Sequence, residues 1–389
     1  MYRKSNKDLT RFLITVICAF ALTVSSNSCS SGGSDGPNVV TLPPTNTGTN
    51  TGSGTGTGTG SGTGTGTIPP SNLTKFTDLG VIHNGEAVND MVEFNGKLYI
   101  ATAVDPLGSF GCAITTYDGS TFSVSLSKGS SQGLPRIRII DGKLYVADGD
   151  PNGLTPGFVY ISDSSGGNWN TTTVATGAHL FDLIKINDKI YLSGQDGAPG
   201  GGALWSSSDG GGSFSVIGPR GNGRHKYFAK YNDIVFLSLE STGHTALSAS
   251  TMQNVSSPIS TSYYAWRWRV INGVLYAGGG SFSDGKGYPL RYDGTEVKVP
   301  QGFEYLVWDY CEYGGKIYAL AVDGLLESTD NGENFTKIID APQVGGQSVF
   351  WYLEAVGGGW NQDATAGLAV YNGRLYAGSI QDGHLYLIE

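Results

Sequence analysis

A short turn-and-strand motif returns seven times along the chain, and it constrains the fold more than any other feature of the sequence. The first copy reads NGKLYIA and starts at Asn95. The others read DGKLYVA, NDKIYLS, NDIVFLS, NGVLYAG, GGKIYAL and NGRLYAG, and they start at Asp141, Asn187, Asn232, Asn272, Gly314 and Asn372. A two-residue turn of Asn, Asp or Gly before alternating apolar residues is typical of a β-hairpin. Each copy therefore predicts one hairpin.

The spacing of these hairpins predicts the architecture. Successive copies start 46, 46, 45, 40, 42 and 58 residues apart. Repeats of this length are typical of four-stranded sheets arranged around a ring. No helical periodicity of useful length follows the first 28 residues, and the 60 glycines of the chain suit tight turns. We therefore predict an all-β fold, a seven-bladed β-propeller over residues 71–389.

Each repeat is expected to hold four strands, and the ring is expected to close through the chain ends. In the second repeat the predicted strands are 136–140, 143–147, 157–162 and 171–175. The last repeat reaches the C-terminus after three strands. We predict that the N-terminal strand 75–82 supplies the fourth and so closes the last blade, which removes exposed sheet edges.

The first 28 residues read as an export signal. Basic residues precede an apolar run over 12–24, which is too short to span a bilayer, and small polar residues precede Cys29. This arrangement resembles that of bacterial lipoproteins, although Ser26 stands where that family usually has Leu. The resemblance implies cleavage before Cys29 and lipid attachment to it. Ordinary secretion with an incidental cysteine is the alternative.

Residues 29–70 are rich in Gly, Thr and Ser and contain nothing that could form a core, so we predict a disordered tether. Its part after residue 36 would reach about 30 to 35 Å on average. A lipid at Cys29 and this tether predict a monomeric head in the cell envelope, at the outer membrane or cell surface, with the lipid as its only membrane contact. The chain carries a net charge of −9, which argues against a nucleic-acid partner.

A second recurring motif lies between the third and fourth predicted strands. SSDGGGSF at 207–214 and STDNGENF at 328–335 fit the pattern Ser, any, Asp, any, Gly, any, any, aromatic. A weaker copy, SDSSGGNW, runs from Ser162 with Ser164 in the Asp position, and shorter versions start at Tyr117 and Tyr292. These motifs resemble the Asp-box (BNR) repeats of sialidase-type propellers. Within the turn the Asp is expected to accept backbone N–H bonds, so the motif marks the fold rather than a site.

The first strand of each blade is expected to line the central channel. Five residues before each repeated turn stand Asp90, Arg136, Asp182, Tyr227, Arg267, Asp309 and Gly367. We predict that the first six of these bind a polar ligand at the channel mouth. The alternative is a set of ion pairs between blades that satisfies charges in a narrow channel. Two positions after Arg136 and Arg267 stand two more basic residues, Arg138 and Arg269, on the same strand face. They are expected either to bind a carboxylate or phosphate group or to pair with Glu93 or Glu312.

Two further candidate sites come from the loops. Aromatic residues precede the later blades, and the spacing of 58 leaves an insertion that contains Trp360, so we predict ligand contacts at Trp351 and Trp360. The segment DGDPNG places Asp148, Asp150 and Asn152 at alternating positions, as in the first half of a calcium loop. Calcium is therefore the only cofactor that the sequence suggests. The usual Glu at the twelfth position is replaced by Val159.

The sequence supports binding more than catalysis. A sialidase would need an Arg triad, a Tyr with a Glu partner and a Phe/Tyr-Arg-Ile-Pro motif, whereas Leu134–Ile137 reads LPRI, and sialidase rings normally have six blades. The five histidines have no metal-ligand spacing. The leading hypothesis is a non-enzymatic module that recognises a glycan or an envelope protein on its loop face. The alternatives are a glycoside hydrolase or lyase that uses Asp90, Asp182 or Asp309, and an assembly factor that docks another envelope protein.

Overall fold

The computed structural model describes residues 72–103, 111–129, 131–149, 156–197, 201–240, 243–265, 267–279, 287–351 and 365–389. These ranges hold 29 β-strands and one short 3-10 helix, His83–Gly85. The predicted signal, Cys29, the tether, Asp150, Asn152 and Trp360 lie outside them. Among the described residues no helix is long and apolar enough to cross a membrane.

The strands form seven sheets around a ring, together with one small separate hairpin, which confirms the predicted seven-bladed propeller. Blade 1 contains β2 (Ala87–Phe94), β3 (Lys97–Ala103), β4 (Cys112–Tyr117) and β5 (Phe122–Lys128). Blade 2 contains β6 (Ile137–Ile140), β7 (Lys143–Ala147), β8 (Pro156–Ser162) and β9 (Trp169–Thr176). Blade 3 contains β10 (His179–Ile186), β11 (Lys189–Gln195), β12 (Gly201–Ser207) and β13 (Ser215–Asn222). All pairings within the blades are antiparallel.

The second half of the ring continues the pattern. Blade 4 contains β14 (His225–Tyr231), β15 (Ile234–Leu239) and β16 (Gly243–Ser248). Blade 5 contains β17 (Arg267–Ile271), β18 (Val274–Gly278), β19 (Leu290–Tyr292) and β20 (Val297–Lys298). Blade 6 contains β21 (Val307–Tyr313), β22 (Lys316–Ala321), β23 (Gly324–Ser328) and β24 (Thr336–Asp340). The separate hairpin β25 (Gln343–Val344) and β26 (Gln347–Ser348) then precedes blade 7, formed by β27 (Gly367–Tyr371), β28 (Arg374–Gly378) and β29 (His384–Ile388).

The two ends of the domain close the ring as predicted. β1 (Phe76–Val81) pairs antiparallel with β29, so that Phe76 lies opposite Ile388 and Thr77 opposite Leu387. The amides of Thr74 and Lys75 donate to the carbonyl of Glu389 at 2.7 and 2.8 Å. This fourth strand covers the edge that the last blade would otherwise expose.

The repeated turns have the backbone that their residues favour. The first turn residue has a positive φ in every repeat, from 48° at Asn372 to 59° at Gly314. In five repeats the next residue is a glycine that also has a positive φ, as a two-residue hairpin turn of type I′ requires. Asn, Asp and Gly tolerate this region better than other residues, so the turn positions fix where the first strand of each blade ends.

Blade 4 differs from the predicted four strands because an irregular segment covers the edge of β16. Val255 donates to the carbonyl of Ala246 at 2.9 Å, and the amide of Ser248 donates to the carbonyl of Gln253 at 2.9 Å. His244 holds this segment in place, since its Nδ1 lies 2.9 Å from the carbonyl of Tyr263 and its Nε2 lies 2.9 Å from the hydroxyl of Ser257. Backbone groups at the edge of β16 therefore have hydrogen-bond partners without a regular fourth strand.

The outer turns show the expected carboxylate geometry. Asp330 accepts the amides of Glu333 and Asn334 at 3.1 and 3.0 Å, and Asp209 accepts the amide of Ser213 at 3.1 Å. In the copy that starts at Ser162, Asp163 takes this role and Ser164 does not, because Asp163 accepts from the amides of Ser165 and Gly167. These turns dock on the preceding blade through tyrosine hydroxyls, which donate from Tyr145 to the Gly210 carbonyl and from Tyr276 to the Asn331 carbonyl at 2.8 and 2.7 Å.

Candidate functional site

Three blades carry an aspartate at the same channel position, and all three carboxylates have the same local geometry. Asp90, Asp182 and Asp309 each follow a register shift in the first strand. In each case Oδ1 accepts the amide of the next residue, at 3.1, 2.8 and 2.9 Å respectively. Oδ2 accepts an amide from the first strand of the next blade, from Ile137, Phe228 and Leu368 at 3.1, 2.9 and 3.0 Å. Each aspartate therefore joins two neighbouring blades.

Two arginines bind these carboxylates from other blades. Arg138 donates through Nε and Nη2 to the two oxygens of Asp182 at 2.7 and 2.6 Å. Arg269 makes the same two-point contact with Asp309 at 2.8 and 2.9 Å. The alternative partners Glu93 and Glu312 are therefore wrong, because the alternation of side chains along the strand points both guanidiniums into the channel.

Arg267 crosses the channel. It starts from blade 5 and reaches blade 1, where its guanidinium donates to the carboxylate of Asp90 and to the carbonyl of Asn89. Its Nε lies 3.5 Å from Oδ1 of Asp309 on blade 6. The side chain is only 1% exposed. Arg267 therefore connects blades 1, 5 and 6 across the channel at this level.

Arg136 and Tyr227 complete the layer. The guanidinium carbon of Arg136 lies 4.0 Å from the centroid of the Tyr227 ring, which is a cation–π contact. Its Nη1 donates to the carbonyl of Pro135 at 2.8 Å. Burial and the nearby charge of Arg267 outweigh the opposing effects of Tyr227, Asp90 and Asp182, and together they lower the pKa of Arg136 to about 10. At neutral pH this guanidinium still carries its charge.

The acid–base properties of Asp90 argue against a proton-transfer role. Burial raises the pKa of its carboxyl, but the positive charges of Arg267, Arg269 and Arg136 outweigh burial and hold the pKa well below its usual range. A general acid needs a pKa near the working pH. Asp90 is therefore a permanently charged partner of the arginines.

Two residues that the sequence analysis missed lie at the centre of this layer. Thr365 is fully buried, donates through its hydroxyl to the Asn89 carbonyl at 3.0 Å, and donates through its amide to the Asn89 side-chain oxygen at 3.1 Å. The Thr365 hydroxyl also lies 3.4 Å from Nη1 of Arg136 and from Nη2 of Arg267. Thr365 precedes β27 and Asn89 lies in the register shift of β2, so the strand pattern gave no signal for either.

The predicted ligand contacts at the channel are thus brought together, but as a buried layer. Asp90, Arg136, Asp182, Tyr227, Arg267 and Asp309 are each at most 3% exposed. This arrangement matches the ion-pair alternative of the sequence analysis. Direct contact between these six side chains and a ligand stays a prediction.

Trp351 lies elsewhere, on what we call the loop face, the end of the propeller formed by the loops before each first strand and after each second strand. Trp351 follows the hairpin β25–β26, and its side chain is half-buried. Nε2 of Gln381 donates to the carbonyl of Trp351 at 3.2 Å and lies 3.5 Å from Oε1 of Gln347. The Gln381 amide therefore contacts the backbone of Trp351 and lies next to Gln347, while the Trp351 side chain packs partly against the hydrophobic core.

The described half of the candidate calcium loop does not offer free ligands. The carboxylate of Asp148 is buried, and its oxygens accept hydrogen bonds from the hydroxyls of Ser131 and Tyr160. Within the described ranges no group of three or more His, Cys, Asp or Glu side chains is arranged to hold a metal ion. Calcium binding with Asp150 and Asn152 stays a prediction, since both lie outside the described residues.

Comparisons with known proteins show similarity of fold. No family model and no curated protein matches the sequence. The extracellular domain of a one component system from B. thetaiotaomicron is 12% identical, with a TM-score of 0.55, over 81% of this chain and 40% of that one. The WD40 domain of Pan2 from Neurospora crassa is 10% identical, with a TM-score of 0.55, over 82% of this chain and 96% of that one. The WD40 domain of Doa1 is 10% identical, with a TM-score of 0.54, over 82% and 97%.

These matches agree with the propeller fold described above. Because the identities are so low, they carry the fold alone and no shared site. The chain is thus a seven-bladed β-propeller whose inner strands meet in a buried layer of arginine–aspartate pairs.

Proposed function

We propose that this propeller is a non-enzymatic binding module that takes a saccharide on its loop face, with Trp351 as the central contact. The observation that carries the proposal is the grouping of Trp351 with the amides of Gln347 and Gln381. An apolar ring beside polar groups that both donate and accept hydrogen bonds suits a ligand that presents hydroxyls and C–H faces together.

The hydrogen-bonding capacity of this group supports the proposal. No described residue accepts a hydrogen bond from the Trp351 indole N–H, and Gln381 uses only its donor side in the contacts made within the described ranges. Among the described residues, the indole donor, the Gln381 side-chain oxygen and the Gln347 N–H₂ group have no hydrogen-bond partner, and we propose that they bind the ligand. Both residue types act without a charge, as a neutral saccharide requires.

The same structure gives less support to the two alternatives. A hydrolase that used the channel acids would need a carboxyl within hydrogen-bond reach of its substrate, whereas Asp90, Asp182 and Asp309 are buried and bonded to arginines. A docking protein would present a broad apolar patch. In the part of the chain that the structure describes, the exposed large apolar residues are mostly single valines spread over several blades.

We further propose that the module acts in the cell envelope, held by lipid at Cys29 and separated from the membrane by the tether. The support comes from the apolar leader, the cysteine that follows it and the Gly/Thr-rich segment. Secretion without lipid leaves the proposed saccharide binding unchanged.

The test is a glycan array probed with the full chain, followed by calorimetry on any hit. We expect Trp351→Ala to weaken binding at least tenfold, which is about 1.4 kcal/mol. Tyr288→Ala is the matched control, because Tyr288 is a 49% exposed aromatic residue on the loop between β18 and β19 of blade 5, whereas Trp351 precedes blade 7. Binding to no glycan, equal binding by both variants, or turnover of a bound glycan by the wild type would each contradict the proposal.

A further inference from the structure

Arg138 and Arg269 occupy the same position in blades 2 and 5, two residues beyond the buried layer. Their strands run from the loop face toward the repeated turns, so the backbone of each arginine lies on the turn side of that layer, and its guanidinium contacts a layer aspartate from there. Arg138 is 29% exposed and Arg269 is 20% exposed. Arg136 and Arg267 stand two residues earlier in the chain, closer to the loop face. They are only 3% and 1% exposed. The channel is therefore accessible to solvent at Arg138 and Arg269.

Each of these guanidiniums uses only part of its donor set. Nε and Nη2 of Arg138 donate to Asp182, and Nε and Nη2 of Arg269 donate to Asp309. The Nη2 group of Arg138 also donates to the carbonyl of Phe228 at 3.1 Å. No described residue accepts a hydrogen bond from Nη1 of either arginine. A guanidinium has five N–H groups, so both arginines keep two donors available.

The neighbouring carboxylates cannot take these donors, because their oxygens already have partners. Both oxygens of Asp182 accept an arginine N–H and a backbone amide, and the same is true of Asp309. Asp182 and Asp309 therefore leave the Nη1 groups of both arginines to another acceptor.

Asp90 lies next to Arg269 and next to the strand that carries Arg138. Nη2 of Arg269 is 3.4 Å from Oδ1 of Asp90, and Oδ2 of the same carboxylate accepts the amide of Ile137, the residue before Arg138. Burial lowers the pKa of Arg138 and the positive charge of Arg269 lowers it too, but Asp182 and Asp90 together raise the pKa above its usual value. The two positive charges thus repel each other across a narrow channel, and a bound anion would relieve the repulsion.

We propose that Arg138 and Arg269 together bind a small oxyanion, a carboxylate or phosphate group, in the channel on the turn side of the layer formed by Arg267. Planar guanidiniums bind such groups well because their N–H groups match the spacing of the oxygens. This site is distinct from the proposed saccharide site. It lies beyond the buried layer, whereas Trp351 lies on the loop face.

Calorimetric titration of the full chain with inorganic phosphate, and separately with acetate, tests the proposal at constant ionic strength set by chloride. We expect saturable binding of at least one probe to the wild type. Arg138→Lys and Arg269→Lys keep a positive charge for Asp182 and Asp309 but remove Nη1, so we expect each to weaken binding at least tenfold. Arg291→Lys is the control, because Arg291 pairs with Asp293 outside the channel, and we expect a change within twofold.

Two results would overturn the proposal: no saturable binding of either probe to the wild type, or lysine variants that bind as the wild type does. A preference for phosphate or for acetate supports it and shows which group the natural ligand carries. If a lysine variant does not fold, the test is amide hydrogen exchange of the wild type with and without phosphate. We then expect phosphate to slow the exchange of amides in β6 and β17, and protection confined to other blades overturns the proposal. Trp351→Ala is expected to leave the binding of phosphate and acetate unchanged. The experiments can therefore contradict the saccharide site or the oxyanion site separately.

Discussion

Removing the charge of Asp182 should destabilise the propeller strongly, because this carboxylate joins three blades. It is fully buried and accepts four hydrogen bonds, two from Arg138 and one each from the amides of Leu183 and Phe228. In Asp182→Asn the amide group retains one oxygen and turns an N–H₂ toward two former donors. One charged and one neutral hydrogen bond are then lost, and a backbone amide is left buried without an acceptor.

The expected cost follows from these contacts. Breaking a buried ion pair costs about 3 to 5 kcal/mol. Because Arg138 is 29% exposed, water can rehydrate its guanidinium, and we expect the lower end, about 3 kcal/mol. The control is Asp141→Asn, which breaks a surface pair between Lys185 and an Asp141 side chain that is 62% exposed. Asn suits this turn position, as the other repeats show, so we expect a cost of about 0 to 1 kcal/mol.

Equilibrium urea denaturation of the full chain measures both costs, with fluorescence of the fully buried Trp205 in blade 3 as one reporter. Unfolding and refolding curves must coincide for the comparison to hold. The double variant Arg138→Met, Asp182→Leu should recover part of the lost stability, because neither charge is then buried without its partner. Its free energy of unfolding should stay below that of the wild type, because the amides of Leu183 and Phe228 still lose their acceptor. A cost for Asp182→Asn below about 1 kcal/mol, or equal to that of Asp141→Asn, would refute the reasoning.

Two further predictions concern pH and the membrane anchor. Burial lowers the pKa of His244 and of His225, although a backbone hydrogen bond opposes this effect at each residue. A histidine in the unfolded chain has a pKa of about 6.5, so the unfolded chain binds protons more readily than the folded one. Stability should therefore be fully present above about pH 6.5 and fall as the pH drops below it. Melting curves at pH 7.5 and 5 check this, and an unchanged midpoint contradicts it. For the anchor, Cys29→Ala should abolish incorporation of labelled palmitate and release the protein from the membrane fraction, and label that persists in the variant contradicts lipidation at Cys29.

The sequence by itself determined the number of blades and the way the ring closes. The reason is local: a turn that needs a positive φ at Asn, Asp or Gly ends the first strand of every blade, and its period counts the blades directly. The strands of the second repeat were predicted to within two residues at each end, for example 143–147 for β7. The closing strand was predictable because the last repeat lacks one.

The sequence could not show what replaces the fourth strand of blade 4 or which charged side chains form ion pairs in the channel. In blade 4 the chain after β16 has the length for a fourth strand, but the two contacts of His244 hold it in an irregular path. Counting back from the turns found one layer of channel residues, including Asp90 and Arg267. It did not show that they bind one another across the ring, since that contact joins residues 177 positions apart.

The distinction has a physical cause. Turn conformation and strand alternation depend on neighbouring residues, so the sequence determined the hairpins, their number and the inward face of each first strand. The pairing of Arg138 with Asp182, the position of Thr365 between two arginines and the grouping of Gln381 with Trp351 depend on how the blades are placed around the channel. Only the tertiary structure decides these contacts, because they join side chains that closure of the ring brings together.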